Sequence, residues 1–194
     1  MSYLVLGSSG SLGSAIVNEL TSTGKPVRAL IRNPAKADRV FANPDKVEFV
    51  EGSVDDPQTL HKAFDGVELF YNCINPPHYQ QWARLPEVHG RIIDAARRAR
   101  TRMVFPGNVY IYGHAEGGLV AEDHPRNPCS KKGRIRLQLE EIFMARSREG
   151  EVPSVIVRFP DFYGPDLASS LVGGIFTSAQ EQDRSLVRQA RRDA

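Results

Sequence analysis

The chain is short of everything that staples or anchors a protein. It has two cysteines, Cys73 and Cys129, too few for a disulfide framework and without the spacing of a metal site. A reducing cytoplasm and no bound metal are the expectations. No apolar run approaches the ~20 residues of a membrane helix. The start enters a strand pattern by Tyr3 without the charged and apolar regions of a signal peptide. Neither charge sign is in excess: 25 Lys and Arg against 23 Asp and Glu leave a net +2, which excludes a whole-chain attraction to nucleic acid or an anionic membrane. The local exception, Arg184, Arg188, Arg191 and Arg192, reads as a solvated or frayed terminal helix.

What is present is a core and a turn. At 194 residues and 41% hydrophobic, the chain suits one substantial core. An apolar run from Tyr3 to Leu6 leads into Gly7, Gly10 and Gly13, and then into a helical pattern with Leu12, Ile16 and Leu20 on one face. Strand, tight turn and helix follow one another. Glycine lets backbone lie against a ligand, and the helix start behind it offers unpaired N–H groups to a phosphate. A dinucleotide diphosphate suits such a turn, with Gly7, Ser9, Gly10, Ser11, Leu12 and Gly13 as its contacts.

The spacing Gly-x-x-Gly-x-x-Gly resembles the short-chain dehydrogenase/reductase superfamily, specifically the extended and atypical branches that include the NAD-dependent epimerase/dehydratases. Two later marks fall in order. Tyr112-Gly113 follows the fifth strand, and Arg158-Phe159-Pro160-Asp161-Phe162-Tyr163-Gly164-Pro165 follows the sixth. The fold expected is a doubly wound α/β (Rossmann) domain over residues 1–165, with a parallel sheet in the order 3-2-1-4-5-6 and helices on both faces. A short extension, 166–194, stands where extended members close over substrate; truncation and a homodimer that supplies the missing wall are both open.

Strands are expected at Pro26–Ile31, Val47–Val50, Val67–Cys73, Met103–Pro106 and Val155–Phe159, with helices over 78–100 and 134–148. At the second strand's end stands Arg32 and no acid. Arginine can pair with a 2′-phosphate, so NADP is expected over NAD, although NAD is possible and Arg32 can equally just solvate a strand end. Asp56-Pro57 reads as a helix cap. The resemblance puts Ser53 where relatives carry an aspartate facing adenine, Val54 on the base, Cys73, Ile74 and Asn75 beside the nicotinamide ribose, and Pro160 at the nicotinamide end. Cys73 reads as packing rather than as a reactive thiol. Tyr79, Gln80 and Trp82 read equally as substrate-facing or as ordinary surface and core-edge residues.

In the resembled enzymes a serine polarises the substrate carbonyl and a Tyr-x-x-x-Lys pair handles its proton. No Tyr-x-x-x-Lys occurs in this chain. Anchored on Glu140, Arg136 takes the place of the lysine and Lys132 that of the tyrosine, while Asn108 stands for the serine. Arg136 can hold a ribose but cannot act as the acid or base. Lys132 can serve only if its pKa is lowered, and Asn108 can donate a hydrogen bond to an oxygen or merely tie down its loop. Two functions stay open. One is an NAD(P)-binding oxidoreductase or epimerase acting on a carbonyl, alcohol or sugar-nucleotide-like small molecule; the other is a non-catalytic NADP(H)-binding sensor like the NmrA-type regulators.

Overall fold

A computed structural model of the chain describes residues 2–76, 79–114 and 119–162. Within them β1 (Tyr3–Leu6), β2 (Val27–Ile31), β3 (Val47–Glu51), β4 (Leu69–Asn72), β5 (Arg102–Asn108) and β6 (Ser154–Phe159) form one sheet in the order β3-β2-β1-β4-β5-β6. The expected order is the observed one. The pairings β1–β2, β1–β4, β2–β3 and β4–β5 are all parallel, so the carboxyl ends of these strands share one edge, where ligands of open α/β sheets lie.

Alternation along the strands splits the core in two. In β1, Leu4 and Leu6 face a core built with α3 (Pro57–Phe64), α4 (Leu85–Ala99) and α5 (Lys131–Arg148). Val5 faces the other core, shared with Val17 of α1 (Ser11–Ser22) and Ala37 of α2 (Ala37–Val40). A parallel sheet is stable only with both faces covered, which is why Leu4, Val5 and Leu6 are all fully buried.

Local chemistry sets the helix ends. Asp56 caps α3 by accepting from the N–H groups of Gln58 and Thr59, with Pro57 at the first turn where its missing N–H costs nothing. Gly24, at φ +72°, lies just past α1. Two boundaries differ from the sequence reading. The helix expected over 78–100 divides into a 3-10 turn, Tyr79–Arg84, and α4; Pro86 sits in the first turn of α4, where a longer helix would need the N–H it lacks. The last helix begins at Lys131 rather than Arg134, because the Ser130 hydroxyl accepts from the Gly133 N–H and caps it there. Lys132 therefore stands in the first turn of α5 and not in a preceding loop.

The chain divides into two compact units, residues 1–158 and 159–194. In the second, the rings of Phe159 and Phe162 lie 5.4 Å apart. Tyr163-Gly164-Pro165, the extension after it and its terminal arginines lie outside the described residues.

Phe143 is fully buried on α5, with its ring edge-on to Phe105 at 4.7 Å and to His89 at 5.5 Å. Phe143→Ala should lower the unfolding free energy by about 3–5 kcal/mol in urea titration, through lost burial and the cavity left behind.

Candidate functional site

Two backbones meet at the turn after β1. Gly7 has φ +70°, and a Cβ there would stand 2.5 Å from the Cys73 carbonyl oxygen. A Cβ on Gly13 would stand 2.2 Å from the Gly7 carbonyl oxygen, so any side chain at either position pushes α1 or β4 away. The turn closes with Gly10 N–H donating to the Gly7 carbonyl, and the buried Ser8 hydroxyl ties it to β2 by donating to the Leu30 carbonyl at 2.8 Å. Ser9 and Gly10 are exposed at its crest. Helix α1 starts there with no side-chain cap at Gly10 and no acidic residue in its first turn. The positive dipole end of this twelve-residue helix thus starts at the exposed crest of the turn, with no acid in its own first turn.

Further out along the same edge, Arg32 is exposed just beyond β2. Past β3 the chain turns at Gly52, φ +146°, into half-buried Ser53 and Val54. The Ser53 hydroxyl accepts from the Asp55 N–H, and the Asp55 carboxylate is paired with Arg91 of α4 at 2.6 Å. The Asp55 carboxylate, two residues beyond Ser53, is thus engaged with α4.

At the end of β4, Cys73 is packed rather than reactive: burial pushes its thiol up to about 12, far from thiolate at neutral pH. Behind it lies a buried polar pair that the sequence reading missed. The Asn72 amide donates to His89 Nδ1 at 2.9 Å, placing the ring proton on Nε2. Burial, together with the nearby Arg136 charge, pushes the His89 imidazole down to about 3. His89 falls on the buried face of α4 with Leu85, Ile92, Ile93 and Ala96. The helical spacing was readable, but histidine on that face carried no signal of its partner.

Helix α5 brings two of the three predicted catalytic positions, Lys132 and Arg136, together over one aromatic ring. Arg136, only 6% exposed, donates from Nη2 to Asn75 Oδ1 at 2.9 Å. Its guanidinium carbon lies 5.0 Å from the centre of the Trp82 ring, and Lys132 Nζ lies 5.1 Å from the same centre. Trp82 is 7% exposed, so it supports these cations from within the core edge. Burial pulls the Arg136 guanidinium down to about 10, with Glu140 and Tyr110 holding it up; it stays charged at neutral pH. Asn108 is half-buried, and its Oδ1 accepts from the Tyr110 N–H, capping the 3-10 turn Val109–Ile111. The structural role foreseen for it is present, and the Asn108 amide NH2 remains a donor type suited to an oxygen.

Deeper on α5, the buried Glu140 carboxylate accepts from Arg158 Nη2 at 2.8 Å and from Arg158 Nε at 3.0 Å. The same guanidinium donates from Nη1 to Tyr112 Oη at 2.9 Å. Tyr112 is therefore a brace between β6 and the turn after β5. A Cβ on Gly107 would stand 2.9 Å from Glu140 Oε1, so this glycine makes room for the carboxylate.

Two measurements follow from these buried groups. Glu140→Ala leaves the partly buried Arg158 without its counter-charge and should cost about 3–5 kcal/mol of unfolding free energy. For His89, the folded pKa lies below the unfolded value near 6.5, so the unfolded chain binds the extra proton. Stability should fall as pH drops from about 6.5 toward 3, by up to ~1.4 kcal/mol per pH unit, and His89→Phe should flatten that slope in denaturant titrations.

Over residues 3–192 the chain matches the NAD dependent epimerase/dehydratase family. It is 27% identical over 176 residues to a UDP-glucose 4-epimerase of Azospirillum brasilense, an overlap of 85% of this chain and 50% of that protein. To a UDP-glucose 4-epimerase of Streptomyces lividans it is 24% identical over 184 residues, 88% of this chain and 55% of the other. Among solved structures, a short-chain dehydrogenase/reductase superfamily protein from Agrobacterium tumefaciens with bound NAD aligns with TM-score 0.69 and 31% identity, over 82% of this chain and 49% of that one. MoeE5 in complex with UDP-glucuronic acid and NAD aligns with TM-score 0.72 and 25% identity, over 86% and 56%. The chain spans about half the length of the curated relatives it matches, and among the described residues no helix is long and apolar enough to cross a membrane. With the glycine turn, the strand order and the family match in agreement, the chain belongs to the NAD-dependent epimerase/dehydratase family.

Proposed function

We propose that this chain binds a nicotinamide dinucleotide along the carboxyl edge of its sheet and carries out carbonyl–alcohol redox chemistry on a small, sugar-nucleotide-like substrate. The observation that carries the reading is a start of α1 with no side-chain cap at Gly10 and no acid in its first turn, behind a turn in which Gly7 and Gly13 leave no room for a side chain. That cradle fits a diphosphate in shape and in charge. The NAD in similar structures and the UDP-sugars in one of them support the same ligand class.

On this reading the backbone from Ser9 to Leu12 receives the diphosphate, Ser53 and Val54 border the adenine, and Cys73, Ile74 and Asn75 border the ribose on the nicotinamide side. Arg136, fixed by Asn75 and Trp82, supplies the positive charge there, and Asn108 donates to the substrate oxygen. The bound dinucleotide supplies or accepts hydride. Arg32, exposed at the end of β2, selects NADP by pairing with the 2′-phosphate. The dinucleotide-binding part is residues 1–165 and the substrate-side extension 166–194. A second reading, a non-catalytic dinucleotide sensor, is favoured by the cations Lys132 and Arg136 that stand in place of the usual phenol and lysine.

Fluorescence titration with NADPH and NADH tests the first step. Gly10→Ala adds a methyl at the crest of the turn, where among the described residues the Gly7 carbonyl oxygen is the one atom nearby, at 3.3 Å. It should leave thermal unfolding nearly unchanged and weaken dinucleotide binding at least about tenfold, roughly 1.4 kcal/mol. Arg32→Ala should weaken NADPH by a similar factor and spare NADH; equal NADPH affinity removes the phosphate-pairing role. Firm binding with no oxidation or reduction by a panel of aldehydes, ketones and sugar nucleotides selects the sensor.

A further inference from the structure

Two asparagines fasten the segment that leaves β4, Asn72 to α4 and Asn75 to α5. We propose that His89 is a positioning residue for the nicotinamide half of the dinucleotide site. By holding Asn72 it sets the course of Cys73, Ile74 and Asn75, and through Asn75 the seat of Arg136. The assignment rests on the dinucleotide reading above.

The sheet holds this segment at its start. Asn72 is the last residue of β4, in register with Leu6 of β1, and the Cys73 N–H donates to the Leu6 carbonyl at 3.0 Å. Residues 73–76 then run outside any helix or strand. Side chains take over from there. The Asn72 amide, fully buried, donates to His89 Nδ1 at 2.9 Å and lies 3.8 Å from Met103 Sδ. Three residues on, Asn75 Oδ1 accepts from Arg136 Nη2 at 2.9 Å. The His89 ring is edge-on to Phe105 at 5.8 Å, and the Arg136 guanidinium carbon lies 5.8 Å from the centre of that same ring. The imidazole and the guanidinium thus share a neighbour on β5, with the segment strung between them.

Packing alone does not call for imidazole here. Leucine would fill much of the space beside Phe105 and Phe143, and Asn72 Oδ1 finds no hydrogen-bond partner among the described residues. A buried polar pair left partly unsatisfied is a poor way to stabilise a core. What His89 adds is one fixed acceptor for an amide that has no access to water. Without it the Asn72 N–H is buried and unpaired, which costs more than the bond itself contributes. The relief is for the amide to turn away, and Cys73 to Asn75 move with it. The two halves of the site then respond differently. The diphosphate and adenine borders come from the turns after β1 and β3, whereas the nicotinamide side is this segment itself.

Calorimetric titration of the full chain with matched ligands, NADH with ADP and NADPH with 2′-phospho-ADP, separates those halves, since the smaller ligand of each pair lacks the nicotinamide riboside. His89→Leu should weaken the dinucleotide about tenfold and its adenylate half less than about twofold. His89→Asn puts Oδ1 where Nδ1 stood. It should lose more thermal stability than His89→Leu, through the missing ring, yet bind the dinucleotide within about threefold of wild type. In an Arg136→Met background the added effect of His89→Leu should shrink below about twofold. The wild type gives a readout that needs no substitution. With 15N-labelled histidine, the Nδ1 signal of His89, assigned through the backbone, should shift on saturation with the dinucleotide and stay in place with the adenylate half. Loss of both ligands alike, affinity that follows thermal stability, full additivity with Arg136→Met, or an Nδ1 signal indifferent to the dinucleotide overturns the assignment. A wild-type chain that binds neither dinucleotide overturns the cofactor reading itself, and the role of His89 with it.

Discussion

The close approach of the β1 turn to the backbone of β4 is the constraint on which the rest depends. Gly7 touches the carbonyl of Cys73, and Gly13 touches the carbonyl of Gly7. The start of α1 is thereby held against the point where the chain leaves the paired strands β1 and β4 for opposite faces of the sheet, toward α1 and α4. Everything assigned to the carboxyl edge is measured from that contact: Asn75 two residues beyond Cys73, Arg136 donating to Asn75, and Trp82 beneath Arg136.

Electrostatics around α5 explain how a helix start so rich in cations is held in place. A helix that opens with Lys131, Lys132, Arg134 and Arg136 places cations at its own positive end, an arrangement that weakens an isolated helix. Here the arrangement is offset by the Ser130 cap, by the indole under two of the cations and by Glu140 further along. Glu140 in turn binds Arg158, and Arg158 holds Tyr112. The charge pattern of one helix is thus tied to the last strand and to the turn after β5.

The sheet order and the glycine turn were legible because they are written in local spacing: apolar runs separated by helical periods, and glycines three apart. The caps at Asp56 and Ser130 illustrate two outcomes of the same chemistry. Asp56 is legible through the proline behind it; Ser130 precedes Lys-Lys-Gly, which carries no apolar period, so periodicity alone starts α5 one turn late. Boundaries set by one side-chain hydrogen bond are hard to read from periodicity. In the site, Arg136, Lys132 and Asn108 were reachable by counting from Glu140, but contacts across elements were not. Nothing in the spacing joins Trp82 to residues on α5 or Asn72 to His89, because each pairing is made by the tertiary fold. Cys73 reads as packing because no base or cation stands near it in the chain, and in the fold burial pushes its thiol up.

Trp82 is the chain's single tryptophan, and it sits under the two cations of the site. The intrinsic ultraviolet emission of the protein beyond its tyrosines therefore originates at one spot, inside a positively charged, mostly dry environment. A chromophore fixed there reports on the presence of a neighbouring aromatic ring or on a change in either cation, with no second indole elsewhere to dilute the signal.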